Sequence, residues 1–168
     1  AALYADIGEA TRAANEYAIA NELKQAWGLM GGRSLNAFTS HDQTSYVVDL
    51  PANRLSAWAL LDGDRFANPV FRSFQTEVET VFEEKNRSLD HAGRALRDLW
   101  SAAMFGEHPY GTSVLGEVDH LKNPSVSLTE DFFERWYVPG NMAVVLAGDF
   151  DSDEALQLIE QGFGQIPA

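Results

Sequence analysis

Between Gly31 and Pro51 the spacing of apolar residues changes from a helical to an alternating pattern, and this change sets the fold class. Upstream, Leu3, Ile7, Tyr17, Ile19, Leu23, Trp27 and Met30 follow broken helical spacing, with an interruption near Gly8 to Asn15. The pair Gly31-Gly32 ends that helical lead-in, residues 1–30. Two strand-like runs follow, Leu35–Ser40 and Thr44–Leu50, flanking the polar turn His41-Asp42-Gln43. Tyr46, Val48 and Leu50 alternate with Ser45, Val47 and Asp49, which predicts a hairpin with one face more buried than the other. Pro51, which cannot donate to a ladder, closes it.

Helical spacing then returns. Helices are expected over Asn53–Phe66, from about Arg72 to Asp90, and over His91–Phe105. A short aromatic helix is expected over Leu128–Tyr137, capped by Thr129 or Ser127, and a last one over Asp151–Gly162, capped by Asp151 or Ser152. Asn141–Ala147 is apolar throughout and reads as a strand buried on both faces. Strands and helices mix without a strict βαβ rhythm. The expected fold is therefore α+β, an antiparallel or mixed sheet with helices packed on one face.

The 168 residues suit a single domain, and at 45% apolar they can build a core. Twelve basic side chains against 25 acidic ones give a net charge of −13, which argues against nucleic acid and anionic membrane surfaces as partners. With no cysteine, disulfides, thiolate zinc sites and cysteine nucleophiles are excluded. No apolar run approaches the ~20 residues a spanning helix needs, so no membrane span is expected. The chain opens at AALYADIG and ends at FGQIPA, without a signal-like stretch. It reads as a trimmed piece of something longer, with any export signal removed.

TEVETVFEEKNRSLD, Thr76 to Asp90, places four glutamates in eight positions. At about 100° per residue, Phe74, Val78, Val81 and Phe82 form one apolar arc, and Glu79 and Glu83 fall opposite it. Glu77 and Glu84 fall together, about 20° apart and ~10 Å along the axis, at the edge of the arc. Carboxylates half-desolvated there need a partner. That partner is either a basic side chain from a neighbouring helix or a metal, with Glu84 as ligand and Glu77 supporting. The four histidines, His41, His91, His108 and His120, form no pair with zinc-site spacing.

GGRSLNAFTSHDQTSYVVDLP resembles the G-x-x-N-A-[FY]-T-S-x-x-x-T-x-Y segment of the pitrilysin/insulinase zinc metallopeptidases, whose zinc motif is H-x-x-E-H. FRSFQTEVETVFEEKNRSLD resembles the helix carrying that family's third zinc ligand. HPYG with Gly116, and then FFERWYVPGNMAVVLAGDFD, match its later landmarks in order, from Gly31 to Asp151. The resemblance implies a mitochondrial-processing-peptidase-like metallohydrolase domain, with residues 31–168 as the family-like region and the whole chain as part of the N-terminal peptidase domain. It implies that Glu84 is the glutamate zinc ligand, that Glu77 is its supporting carboxylate, and that Asn36, Ala37 and Phe38 bind extended peptide by strand addition. It also implies zinc as cofactor, a second homologous domain or subunit that closes the site, and a periplasmic or otherwise exported location, with a cytoplasmic one as the alternative.

One departure stands out: residues 1–30 contain no histidine, so H-x-x-E-H is missing. The expectation is a zinc peptidase whose motif lies upstream of Ala1, this chain being inactive alone and holding no zinc firmly. The alternative is a non-catalytic partner subunit or peptide-binding scaffold. The other polar landmarks read structurally. His108 is expected to bond to backbone in a tight turn, His41 and Asp42 to sit at a hairpin tip, and His91 and His120 to lie on the surface. Trp58, Trp100 and Trp136 are expected in the core. Asp149 and Asp151 are expected to cap a helix rather than bind calcium.

Overall fold

The computed structural model describes residues 21–71, 73–122 and 125–168, together with 10, 13, 17 and 19. Most of the predicted lead-in before Asn21 lies outside the described residues. The elements in order are α1 (Glu22–Leu29), β1 (Arg33–Thr39), β2 (Thr44–Asp49), α2 (Leu55–Ala67), α3 (Phe74–Leu89), α4 (Ala92–Phe105), α5 (Val118–Lys122), α6 (Val126–Trp136) and α7 (Ser152–Phe163). Short 3-10 turns stand at Ala52–Arg54, Pro109–Gly111 and Pro139–Asn141. The chain is thus helix-rich α+β, with a two-stranded antiparallel sheet of β1 and β2. It divides into two compact units, one of Ala1–Glu16, Ala37–Tyr46 and Ser73–Ser125, the other of Tyr17–Asn36, Val47–Arg72 and Val126–Ala168.

In the second unit, α1 ends as its glycines require. Gly31 takes φ +83, the Gly31 N–H donates to the Gly28 carbonyl at 3.0 Å, and the Gly32 N–H donates to the Trp27 carbonyl at 2.7 Å. That pair of bonds satisfies carbonyls the helix end leaves open. Trp27, 1% exposed, anchors α1.

The centre of this unit is the crossing of α2 and α7. Ala59, Gly63, Phe66, Ala155 and Gly162 are buried there. A Cβ on Gly162 would stand inside van der Waals contact of the Ala59 carbonyl, and one on Gly63 would do the same against the Gly162 backbone. Glycine inside a helix costs about 1 kcal/mol relative to alanine. Here the two backbones touch, so no side chain fits between them. Around the crossing, Trp58 packs on Phe163 at 5.2 Å, Phe66 on Tyr137 at 6.0 Å, and Tyr137 stacks on Phe133 at 4.3 Å between ring centroids. Asp62 is buried beside them. Burial raises its pKa, and the Arg65 charge and a hydrogen bond from Trp58 oppose that rise.

Beyond α6 the Asn141 side chain donates to the Trp136 carbonyl at 3.0 Å, closing the helix end from the following turn. Asp151 caps α7, accepting from the N–H groups of Asp153 and Glu154 at 3.0 and 2.9 Å, as the capping expectation for GDFD requires.

Several expectations are corrected. Helix α6 starts at Val126, so Ser127 and Thr129 lie in its first turn rather than at its cap. Met142–Ala147 forms no strand among the described residues, and Val145 is 86% exposed. A strand exists only by pairing, and β1 and β2 pair only with each other among those residues. The hairpin has no clearly buried face, because only Leu35, Ser45 and Val48 are half-buried and Ser45 and Val48 lie on opposite faces. Trp100 and Trp136 are exposed, and of the three tryptophans only Trp58 packs into its unit.

The helix crossing gives a direct test. Gly162→Val is expected to lower unfolding free energy by about 3 kcal/mol or more, because backbone has to move to admit the side chain. Leu156→Ala, on an exposed face of the same helix, should cost far less. Equal urea midpoints for the two variants would contradict the backbone contact.

Candidate functional site

Helix α3 carries the acidic stretch, and one stripe holds it in place. Phe74, Val78, Val81 and Phe82 are half-buried, and Lys85 and Ser88 are buried at 5% exposure each. These positions recur at three- and four-residue steps, so they line one face. The Lys85 ammonium lies 4.0 Å from a carboxylate oxygen of Asp98 on α4. A buried ammonium requires such a partner.

Glu77, Glu79, Glu83 and Glu84 are all exposed. Glu79 and Glu83 stand as expected. Glu77 and Glu84 were expected half-desolvated at the edge of the stripe, and that is corrected. The stripe is narrow, and Lys85 rather than a glutamate takes its next buried position. Glu77 and Glu84 remain one above the other, two turns apart on one face. Their carboxylates are open to solvent and available to a ligand.

Asn36, Ala37 and Phe38 lie in β1 and are exposed, Phe38 at 50%. Among the described residues β1 pairs only with β2, so its other edge there offers backbone N–H and C=O groups. Ala37 and Phe38 belong to the same compact unit as Glu77 and Glu84, whereas Asn36 falls in the other.

At the hairpin tip the structure joins residues that were expected to be independent. His41 Nε2 lies 2.8 Å from the Thr112 carbonyl, which can only accept, so Nε2 carries the proton. The Tyr110 hydroxyl donates to the Asp42 carboxylate, 2.8 Å from each oxygen. The His41 and Tyr110 rings pack at 5.1 Å. His108 Nδ1 accepts from the Tyr110 backbone N–H at 3.2 Å, the backbone role expected of it. His91 and His120 are exposed, also as expected. The hydrogen bond to Asp42, and then its negative charge, push the Tyr110 pKa up. This cluster was missed from sequence because its halves stand 68 to 71 residues apart. The one available signal was a polar tip facing a landmark rich in histidine and tyrosine.

The carboxylate oxygens of Glu84 suit zinc as a ligand. Among the described residues, however, no three His, Cys, Asp or Glu side chains are grouped to hold one metal ion. The residues in view therefore fit one position of a zinc site and not the whole of it.

Known proteins match this chain closely. The family model described as insulinase (peptidase family M16) matches residues 10–118, and that of the peptidase M16 inactive domain matches residues 129–168. A Mycobacterium tuberculosis protein named "Uncharacterized zinc protease" is 34% identical over 149 residues, 85% of this chain and 33% of its own length. The Escherichia coli protein named "Probable zinc protease PqqL" is 28% identical over 152 residues, 88% of this chain and 16% of its own length. Among solved structures, a protease from Helicobacter pylori superposes with a TM-score of 0.80 at 25% identity, covering 88% of this chain and 36% of that one. The first half of periplasmic PqqL from Escherichia coli superposes at 0.75 and 24% identity, covering 88% and 33%, which shows the shared fold. The chain thus spans about a third of the length of its mycobacterial relatives.

The hairpin-tip bond sets a pH signature. Because the fold favours the protonated phenol, the bond is intact below the ordinary tyrosine value of about 10 and is lost only as pH rises through the raised one. Ring-carbon NMR should show Tyr110 titrating above the ordinary tyrosine value, and Asp42→Asn should bring it down toward that value. Unchanged titration in that variant would contradict the bond.

Proposed function

This chain belongs to the insulinase family, peptidase family M16, and on that premise we propose that it is part of a zinc-dependent metalloendopeptidase that hydrolyses extended peptides. The observation that carries this reading is the exposed pair Glu84 and Glu77 on one face of α3, the residues to which the sequence resemblance assigns the zinc ligand and its supporting carboxylate. Relatives named zinc proteases support it. Zinc, when bound, supplies a Lewis acid for the peptide carbonyl and an activated water. The residues of this chain have simpler tasks. Glu84 offers one carboxylate ligand, and Glu77 orients its surroundings. The β1 edge at Asn36, Ala37 and Phe38 receives the peptide as an added strand, which aligns it through backbone hydrogen bonds.

The remaining zinc ligands and the catalytic base are assigned to a part of the protein outside this chain, since residues 1–30, ahead of the NAFTS strand, contain no histidine. Hydrolysis is therefore assigned to the intact protein and not to this chain alone. A second homologous half is proposed to close over the peptide, supported by the match to the first half of PqqL. An exported, periplasmic location is proposed by analogy with that periplasmic protein. No helix among the described residues is long and apolar enough to cross a membrane.

Glu84→Gln in the intact protein is expected to lower zinc affinity at least about tenfold and to remove most peptidase activity, because a neutral amide is a poor zinc ligand. Glu79→Gln, on the solvent face of the same helix, should change neither. Zinc and activity retained in Glu84→Gln would refute the ligand assignment. An intact protein without zinc or activity would instead favour the non-catalytic partner.

A further inference from the structure

A two-stranded ribbon is marginal in water unless something else holds it. Most of the β1–β2 side chains are exposed, including Phe38, Tyr46 and Val47, so face burial contributes little. Within the turn itself, the Ser40 N–H donates to the Gln43 carbonyl at 2.8 Å and the Ser40 hydroxyl accepts weakly from the N–H groups of Asp42 and Gln43 at 3.3 Å. These bonds shape the turn but do not fix where the turn stands.

The long-range contacts at the tip do fix it. Asp42 holds the Tyr110 hydroxyl with both carboxylate oxygens, and His41 donates to the Thr112 carbonyl. Tyr110 is itself a firm post. Its backbone N–H is taken by His108 Nδ1, and its ring meets those of His108 and Phe105 edge-on at 4.8 and 5.6 Å. Pro109 opens the 3-10 turn that carries it, and the Thr112 hydroxyl donates to the Pro109 carbonyl at 2.7 Å. At Gly111 a side chain would collide with the Gly106 carbonyl, so the turn closes against the end of α4. The post thus stands on the same unit as Glu84.

We propose that Tyr110 and Asp42 are positioning residues for peptide binding: their bond pins the hairpin tip so that the Ala37–Phe38 edge is held ready to receive an extended peptide. This rests on the strand-addition reading above. An edge held in place before binding spares the ordering that a loose ribbon would undergo as peptide arrives. Tyr110 and Asp42 spend their polar groups on each other and act through the strand edge, so the effect falls on binding rather than on the chemical step. A hydrogen bond to a charged group is typically worth enough to change an equilibrium by about tenfold or more.

The test uses the intact zinc-loaded protein, as wild type and as Tyr110→Phe, Asp42→Asn and Asp42→Ala. Amide hydrogen exchange is followed from residue 36 to residue 44, with and without an extended peptide of uncleavable backbone. KM, kcat and zinc content are measured beside it. The proposal expects faster exchange at the tip in Tyr110→Phe, and KM raised about tenfold with kcat and zinc content unchanged. Asp42→Asn, which keeps an acceptor for the phenol, should fall between wild type and Asp42→Ala. The pair Tyr110→Phe with Asp42→Ala should be no worse than the poorer single variant. If peptide protects Ala37 and Phe38 in wild type and KM is unchanged in Tyr110→Phe, the positioning role is overturned and strand addition survives. If peptide protects neither residue in wild type, strand addition fails and the positioning role fails with it. A loss of kcat or zinc in Asp42→Asn would also overturn the proposal, because the cluster would then support the fold of the metal helix instead.

Discussion

The buried stripe of α3 decides where the acidic residues of this chain stand. Phe74, Val78, Val81, Phe82, Lys85 and Ser88 recur at helical steps and take the inner face. The period of the helix then leaves Glu79 and Glu83 away from it and puts Glu77 and Glu84 together on a free flank. Lys85 completes the stripe only because Asp98 on α4 stands near its ammonium. The carboxylates that matter for the proposed chemistry are thus aimed by apolar neighbours and one ion pair, and not by each other. Two turns of helix keep them aligned without any contact between them.

The rest of the architecture divides its work between two units. In one, α2 and α7 meet backbone to backbone at Gly63 and Gly162, with an aromatic cluster around the crossing. That close fit buries Ala59, Phe66 and Ala155, three of the five buried apolar side chains among the described residues. The other unit holds α3, α4 and the hairpin tip, and among the described residues none of the buried apolar side chains lies in it. Leu96, Leu99, Trp100 and Met104 on α4 are each more than half exposed. Polar ties add to the unit's half-buried apolar stripe: the Lys85–Asp98 pair, and the bonds linking His41 and Asp42 to Thr112 and Tyr110. The exposed carboxylates and the Ala37–Phe38 part of the strand edge, on which the proposed function draws, lie in this second unit, and Asn36 lies in the other.

Local features were legible in the sequence because their causes are local. Gly31-Gly32 ended a helix, Asp151 capped one, and His108 bonded to backbone in a proline turn. The hairpin and the helices near it were found within a few residues, since each is governed by its own spacing. Burial was harder to read. Trp100 and Trp136 follow helical spacing and yet are exposed, because periodicity shows which face a helix offers and not whether anything covers it. Met142–Ala147 is as apolar as a buried strand, but strand formation requires a neighbour that composition does not reveal. Of the candidate site, Glu77 and Glu84 were found by the wheel and by resemblance, and their exposure was misjudged by the width of one stripe. The Tyr110–Asp42 bond was missed because the two residues are 68 positions apart.

The chemistry proposed for this chain stands or falls with Glu84 ligating zinc from the free flank of α3. Its most direct test is a zinc-edge anomalous difference map from crystals of the intact protein. Zinc ligation by Glu84 predicts one strong peak at its carboxylate oxygen, within zinc–oxygen bonding distance of about 2.0–2.2 Å, with Glu77 nearby and unbonded to the metal. A zinc peak held entirely by other residues, with Glu84 still directed into solvent, would contradict it.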